Sequence, residues 1–292
     1  MEIVWTYSAA AVVGASLAVS GAALQSVLRN PLAEPYLLGT VGGSAFFAAL
    51  ASNLGLLALG TWVLPCASFL GACFSLAIVC LVAGIAARRR FVQGSDALTR
   101  ANGSTIVLAG FVTGSFCGSL NMLVMSYSEP DAFTKLSLWL YGSLKTVTPE
   151  ALAVCTPVFA AVFTVLYLLA RRLNVMELGP DEAEGLGINV RGTVFTVLAL
   201  VALMTAVSVS LAGAIGFLGL VVPHAVRRLT GPRLQRILPF SALGGGLVLL
   251  IAQFICRQLP GDVPVGIVCA LLGAPFFFGL LMSRRNGEGW DI

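Results

Sequence analysis

Long apolar stretches separated by short polar ones set the pattern of this chain. The stretches run over Ser8–Leu28, Leu38–Leu59, Trp62–Ala87, Ser104–Met125, Ala151–Ala170, Thr193–Leu211, Ala214–Val226, Phe240–Ile255 and Pro264–Met282. A helix crossing a bilayer needs about 20 apolar residues, and most of these windows supply them. Ala214–Val226 is short, Gly-rich and interrupted near its end by Pro223. It reads as a half-length or broken helix packed among neighbours, where irregular backbone is tolerable. The pattern therefore predicts nine helical segments, the boundary between the second and third being the least defined because residues 54–64 are largely apolar.

Charge sharpens this picture. The chain has 17 Lys and Arg and 13 Asp and Glu, 10% of its residues, and none lies inside an apolar window. A charge at the centre of a spanning helix costs roughly 2.5–3.5 kcal/mol even on the lenient insertion scale. At 58% hydrophobic residues, with mean hydropathy +0.95, the chain cannot hide its apolar surface in a water-soluble core. It reads as a polytopic membrane protein with one membrane domain over 1–292.

With nine segments and the C-terminus inside, 14 arginines fall in cytoplasmic loops, against only Lys135, Lys145 and Arg257 outside. This is a positive-inside bias. The net charge of +4 thus belongs to topology, and no nucleic-acid partner is expected. Glu2 stands where a signal peptide would be basic, and the first apolar run is too long for its core, so no cleavable signal is expected.

Chemistry is sparse. Seven cysteines lie in or beside spans without C-x-x-C, and Cys66, Cys73 and Cys80 share one helix face as packing residues. With a single histidine, no metal site or cofactor is expected. No phosphate-cradling G-x-x-x-x-G-K-[ST] occurs, and no nucleophile–base or carboxylate pair lies at a plausible depth. The chain is not expected to be an enzyme, and transport driven by nucleotide would need a separate ATPase.

Four segments mix Gly, Pro and polar residues at span ends. The first holds Gly21 and Gln25, then Asn30, Pro31, Glu34, Pro35 and Gly39; alone, it reads equally as a helix connector. The second is residues 177–187, with Glu177, Leu178, Gly179, Ala183, Leu186 and Gly187. It is expected to form two short helices, with Pro180 and the acids opening the second and Gly187 closing it. An interfacial loop and a partner-docking element both fit. The third holds Gly213, Gly216 and Gly219 before Pro223 and His224, the histidine reading as structural ahead of proton relay. The fourth is Pro264–Gly266 with Gly273 and Pro275.

In this order and spacing, with Leu108–Gly110 and Trp139–Ser143 between them, these segments resemble the FecCD-type permeases of ABC importers for iron–siderophore complexes, haem and vitamin B12. The resemblance implies an all-α integral membrane protein of about nine transmembrane helices, with the type II ABC importer permease fold. It implies a second permease copy, two cytosolic ATPase subunits, an external substrate-binding protein, and a place in the bacterial plasma (inner) membrane. By the same resemblance, Leu178, Ala183 and Leu186 would lie on the buried side of the ATPase contact. Asn102, Gly103 and Ser104 would form the cytoplasmic gate, a helix cap being the alternative. Arg257 would orient the binding protein, an interfacial anchor being the alternative. The family's usual first helix and Arg-rich external turn are expected to be missing, Met1–Tyr7 standing in their place, either as a short variant or because the true start lies upstream. An iron–siderophore cargo is expected before cobalamin or haem. An ion-coupled carrier is a weaker reading, because no midplane carboxylate or repeated half is visible, and a structural membrane protein is weaker still, because it leaves the Gly/Pro segments unexplained.

Overall fold

Each of the nine apolar windows contains helix in the computed structural model, which describes residues 2–91, 103–145, 147–261 and 263–283. The order is α1 (Glu2–Leu28), α2 (Thr40–Asn53), α3 (Val63–Phe91), α4 (Gly103–Met125), α5 (Pro130–Leu140), α6 (Pro149–Met176), α7 (Pro180–Gly185), α8 (Val190–Ala212), α9 (Leu218–Thr230), α10 (Leu234–Gln258) and α11 (Val265–Ser283). Short 3₁₀ turns occupy Pro35–Leu38 and Leu56–Leu59. Among the described residues there is no strand.

Among the described residues six helices are long and apolar enough to cross a membrane. At 14 and 13 residues, α2 and α9 reach only about 20 Å at 1.5 Å per residue, short of a hydrocarbon core of about 30 Å. The second window is therefore not one span but α2 followed by a 3₁₀ turn. Among the described residues two α-helices lie outside the nine windows, α5 and α7.

The centre of the molecule is α1. Its most apolar stretch is 83% buried, against 17% for that of α6, so α1 is a central post and α6 a peripheral wall. Small residues make this possible. Gly14 on α1 and Gly245 on α10 face one another so closely that a Cβ on either would collide with the other's carbonyl. Gly43 on α2 and Gly71 on α3 repeat the arrangement. Backbone-to-backbone approach of this kind drives helix association where lipid removes the hydrophobic incentive. The outward faces carry large apolar side chains, among them Phe111, Phe116, Met122, Leu168 and Leu243. In water such surface would aggregate; in lipid it is at home.

Candidate functional site

The sequence segments that stood out are brought together in two places. The first is a joint where the α1–α2 connection, the start of α9 and the 139–143 stretch interlock. Pro223 lies within α9 rather than breaking it; the break is the non-helical stretch 213–217 that precedes Leu218. An interior proline has no N–H for the carbonyl four residues back, here that of Gly219. The Gln25 amide fills the vacancy: its Nε2 donates to the Gly219 oxygen at 3.0 Å and reaches the Ala33 and Leu220 carbonyls at 3.4 and 3.5 Å. Gly21 lies one turn earlier on α1, where a Cβ would collide with that same carbonyl. Gly219 is pressed in turn by Pro35 and the Leu17 carbonyl. Gly21, Gln25, Pro35, Gly219 and Pro223 are thus one contact.

The connection itself is ordered by its polar residues. Arg29 takes positive φ (47°), and Asn30 N–H reaches back to Gln25 O at 3.1 Å, closing α1 in a Schellman-type turn. Asn30 Oδ1 then accepts from Leu32 N–H at 2.9 Å, an Asx turn across Pro31. Glu34 and Tyr36 reach the broken stretch: the Glu34 carboxylate accepts from Phe217 N–H at 2.6 Å and the Tyr36 hydroxyl from Ile215 N–H at 2.8 Å. These amides precede α9 and have no helical partner. Burial pushes the Glu34 carboxyl above its usual range, against the pull of the Phe217 amide. Gly39, at φ 75°, turns the chain into α2 against Gly110 and Gly114.

The other side of the joint completes it. Ser143 N–H donates to Ala212 O at 2.9 Å and Ala214 N–H to Leu140 O at 3.3 Å. Gly213, at φ 69°, sits where a Cβ would strike the Trp139 carbonyl. Gly216 faces Glu34, Oε1 lying 3.7 Å from where a Cβ would stand, while Gly273 on α11 gives room to the Phe217 ring. Phe217 adopts positive φ (69°), an uncommon conformation for an aromatic residue. His224 is buried and lines a small crevice with Pro31, Leu32, Phe276 and Phe277. Pro275 lies inside α11.

The second place is the turn after α6. Its first part is not the short helix expected: α6 continues to Met176, and only α7 is short. Gly179 (φ 153°) opens α7 and accepts from Ala183 N–H at 3.0 Å. Gly187 (φ 79°) closes it: Gly187 N–H bonds Glu184 O at 2.9 Å and Ile188 N–H bonds Ala183 O at 3.0 Å, a Schellman motif. Ala183 is fully buried, but Leu178 and Leu186 are 72% and 68% exposed. The two leucines are thus not on a side this chain buries; they point outward from the turn. Glu177 turns inward, accepting from Ser26 Oγ at 2.5 Å and pairing with Arg227 at 3.6 Å. Beside it Asn174 Oδ1 accepts from Leu234 N–H at 3.0 Å, capping α10, and its Nδ2 donates to Gln235 at 2.5 Å.

On the opposite side lies a cavity of about 910 Å³ lined by α5, the 143–145 stretch and the end of α10. Lys135, Lys145 and Arg257 all line it. Arg257 also stacks its guanidinium 5.8 Å from the centre of the Tyr7 ring on α1, a cation–π contact. Of the remaining expected residues, Gly103 and Ser104 begin α4, and Asn102 lies outside the described residues. Sequence reading placed Glu34 and Arg227 in or beside the Gly/Pro segments without giving either a partner, and it missed Ser26, Tyr36 and Asn174. None of those three stands beside a Gly/Pro signal that would have marked it, apart from Tyr36, which follows Pro35.

Comparison with known proteins agrees with these motifs. The chain is 36% identical over 284 residues to the hemin transport system permease HmuU of Yersinia pestis, covering 95% of this chain and 80% of that one. It is 37% identical over 276 residues to the cobalamin import permease BtuC of Halobacterium salinarum, covering 94% and 70%. With the Fe(3+) dicitrate permease FecD of Escherichia coli the identity is 34% over 275 residues, covering 94% and 81%. Among solved structures, an inward-facing metal-chelate type ABC transporter superimposes with a TM-score of 0.83 at 30% identity, covering 96% of this chain and 86% of that one. PsaBC of Streptococcus pneumoniae shares the fold at a TM-score of 0.67 and 18% identity, covering 95% and 90%. The FecCD transport family model matches residues 4–283, nearly the whole described chain, and the chain belongs to that family.

Proposed function

We propose that this chain is the membrane-spanning subunit of an ATP-driven importer that carries a metal chelate of the iron–siderophore type. The observation behind this reading is the family match over residues 4–283, joined to the exposed Leu178 and Leu186 on a capped turn. Two copies would enclose the pathway, each contributing a cavity such as the one of about 910 Å³ lined by Lys135, Lys145 and Arg257. An external binding protein would deliver the chelate to that face, with Arg257 aiding orientation. The turn over residues 177–187 would seat one ATPase subunit per copy on the cytoplasmic side, where the C-terminus also lies. Residues 102–104 would close the pathway at that end. The setting is the plasma membrane of a bacterium.

Docking is the part most open to direct test. An Asp at position 186 would place a charge where an apolar side chain is offered to a partner, and burying an unpaired charge is costly. In Leu186→Asp, co-purification of the partner ATPase and ATP-driven uptake should both be lost while membrane insertion persists. Retention of both would refute the assignment. The cargo is tested separately by fluorescence quenching of the cognate binding protein with ferric siderophores, haem and cobalamin. Quenching by ferric siderophore is the expected result, and quenching by haem or cobalamin alone would replace that cargo.

A further inference from the structure

We propose that Glu177, Ser26 and Arg227 form a joint through which movement of the 177–187 turn is passed to α1 and α9, making the three positioning residues for coupled transport. The proposal rests on the importer reading above. Glu177 is the C-cap of α6, the negative end of a 28-residue helix, where an acid is placed against the helix dipole. Its partners account for it there. Ser26, in the last turn of α1, donates to Oε1 at 2.5 Å, and Arg227, in the last turn of α9, lies 3.6 Å from the same oxygen. The ion-paired side chains are only 24% and 19% exposed, so solvent screens the pair less than it would a surface pair.

Position gives the joint its leverage. Two residues separate Glu177 from α7, so a displacement of α7 acts directly on the carboxylate. Arg227 and Ser26 sit on the two helices already bound through Gln25 and Gly219. From the start of α9 the non-helical stretch 213–217 leads back to Gly213 and Ala212, which meet the Trp139 carbonyl and the Ser143 N–H, and Trp139 and Ser143 line the outer cavity. The Glu177 contacts, α9 and the 213–217 stretch thus connect the docking turn to the opposite face. Exposed Leu178 and Leu186 offer the handle; Glu177 holds the other end.

The test uses the complete importer, with its ATPase and binding protein, in proteoliposomes, measuring uptake and ATP hydrolysis in the same vesicles. Glu177→Gln keeps an acceptor for Ser26 and discards the ion pair, and Arg227→Gln discards the pair from the other side. Each should lower uptake per ATP by about tenfold with normal recovery of the complex, and the double variant should fall no further than either single. Arg227→Lys keeps the charge and should stay within about twofold of wild type. An unchanged uptake-to-ATP ratio in Glu177→Gln, or additive losses in the double variant, overturns the proposal. If those variants do not assemble, Ser26→Ala decides: it removes a hydroxyl and no charge, and a ratio equal to wild type overturns the joint. Loss of ATP-driven uptake in the wild type itself would count against the importer reading instead.

Discussion

At the scale of single residues, the joint is a set of exchanged hydrogen bonds. Pro223 deprives Gly219 of its helical donor, and Gln25 replaces it. The two positions are 198 residues apart in number, and neither explains itself alone. Removing Gln25 leaves a buried carbonyl without a donor, which costs about 1–3 kcal/mol. Gln25→Ala should therefore lower stability by about that amount in mixed-micelle unfolding. The cost should shrink in a Pro223→Ala background, where residue 223 regains an N–H for Gly219. Equal costs in both backgrounds would break the link between the two residues. Gly21→Ala should destabilise too, by about 1–3 kcal/mol, since α1 and α9 would have to part. This pairing was invisible in sequence because hydrogen-bond exchange between distant segments leaves no local period. The glycines and prolines were visible; their partners were not.

At the scale of elements, the sequence marked helices where apolar runs were long, found the short α7 from Pro180 and Gly187, and missed the amphipathic α5. The α5 helix fell inside a stretch read as polar, although Pro130 and Asp131 are a legible start and Leu136 and Trp139 share its buried face. The opposite error came at residues 177–179. Gly179 marks an end, and α6 simply runs through the polar Arg171–Asn174 to reach it, as a helix leaving a bilayer can. The closing of α7 was legible, because a glycine at positive φ is what a Schellman motif asks for. Proline cannot adopt φ 79° and would also remove the Gly187 N–H bond to Glu184. Gly187→Pro should abolish uptake and ATPase co-purification while the protein still inserts. Normal co-purification in that variant would show that the turn's geometry does not matter for docking.

At the scale of the whole molecule, charge segregation anticipated the two ends of the bundle better than it anticipated contacts. Lys135, Lys145 and Arg257, the three cations assigned outside, all line one cavity. Arg227, assigned inside, belongs to the opposite joint with Glu177. What the charge pattern could not convey is that Arg257 lies over Tyr7, a contact between α1 and α10 set by helix packing. An exposed Arg–Glu pair with a partner contributes only about 0–1 kcal/mol, so Arg257 would act mainly on encounter rate. Arg257→Glu should slow association of the binding protein, most at low salt, and a charge-reversed binding protein should recover part of the rate. An association rate and salt slope equal to wild type would leave Arg257 as a packing residue for Tyr7.

Under the proposed function, this chain opens and closes a pathway on energy supplied by a separate ATPase. Proteoliposomes holding the chain, its ATPase and its binding protein, loaded with ATP on the ATPase side, measure it directly. Uptake of a radiolabelled ferric siderophore should require both ATP and the ATPase and should persist when ionophores collapse every ion gradient. Uptake that continues without ATP and stops with the ionophores would overturn the importer reading and place the chain among ion-coupled carriers.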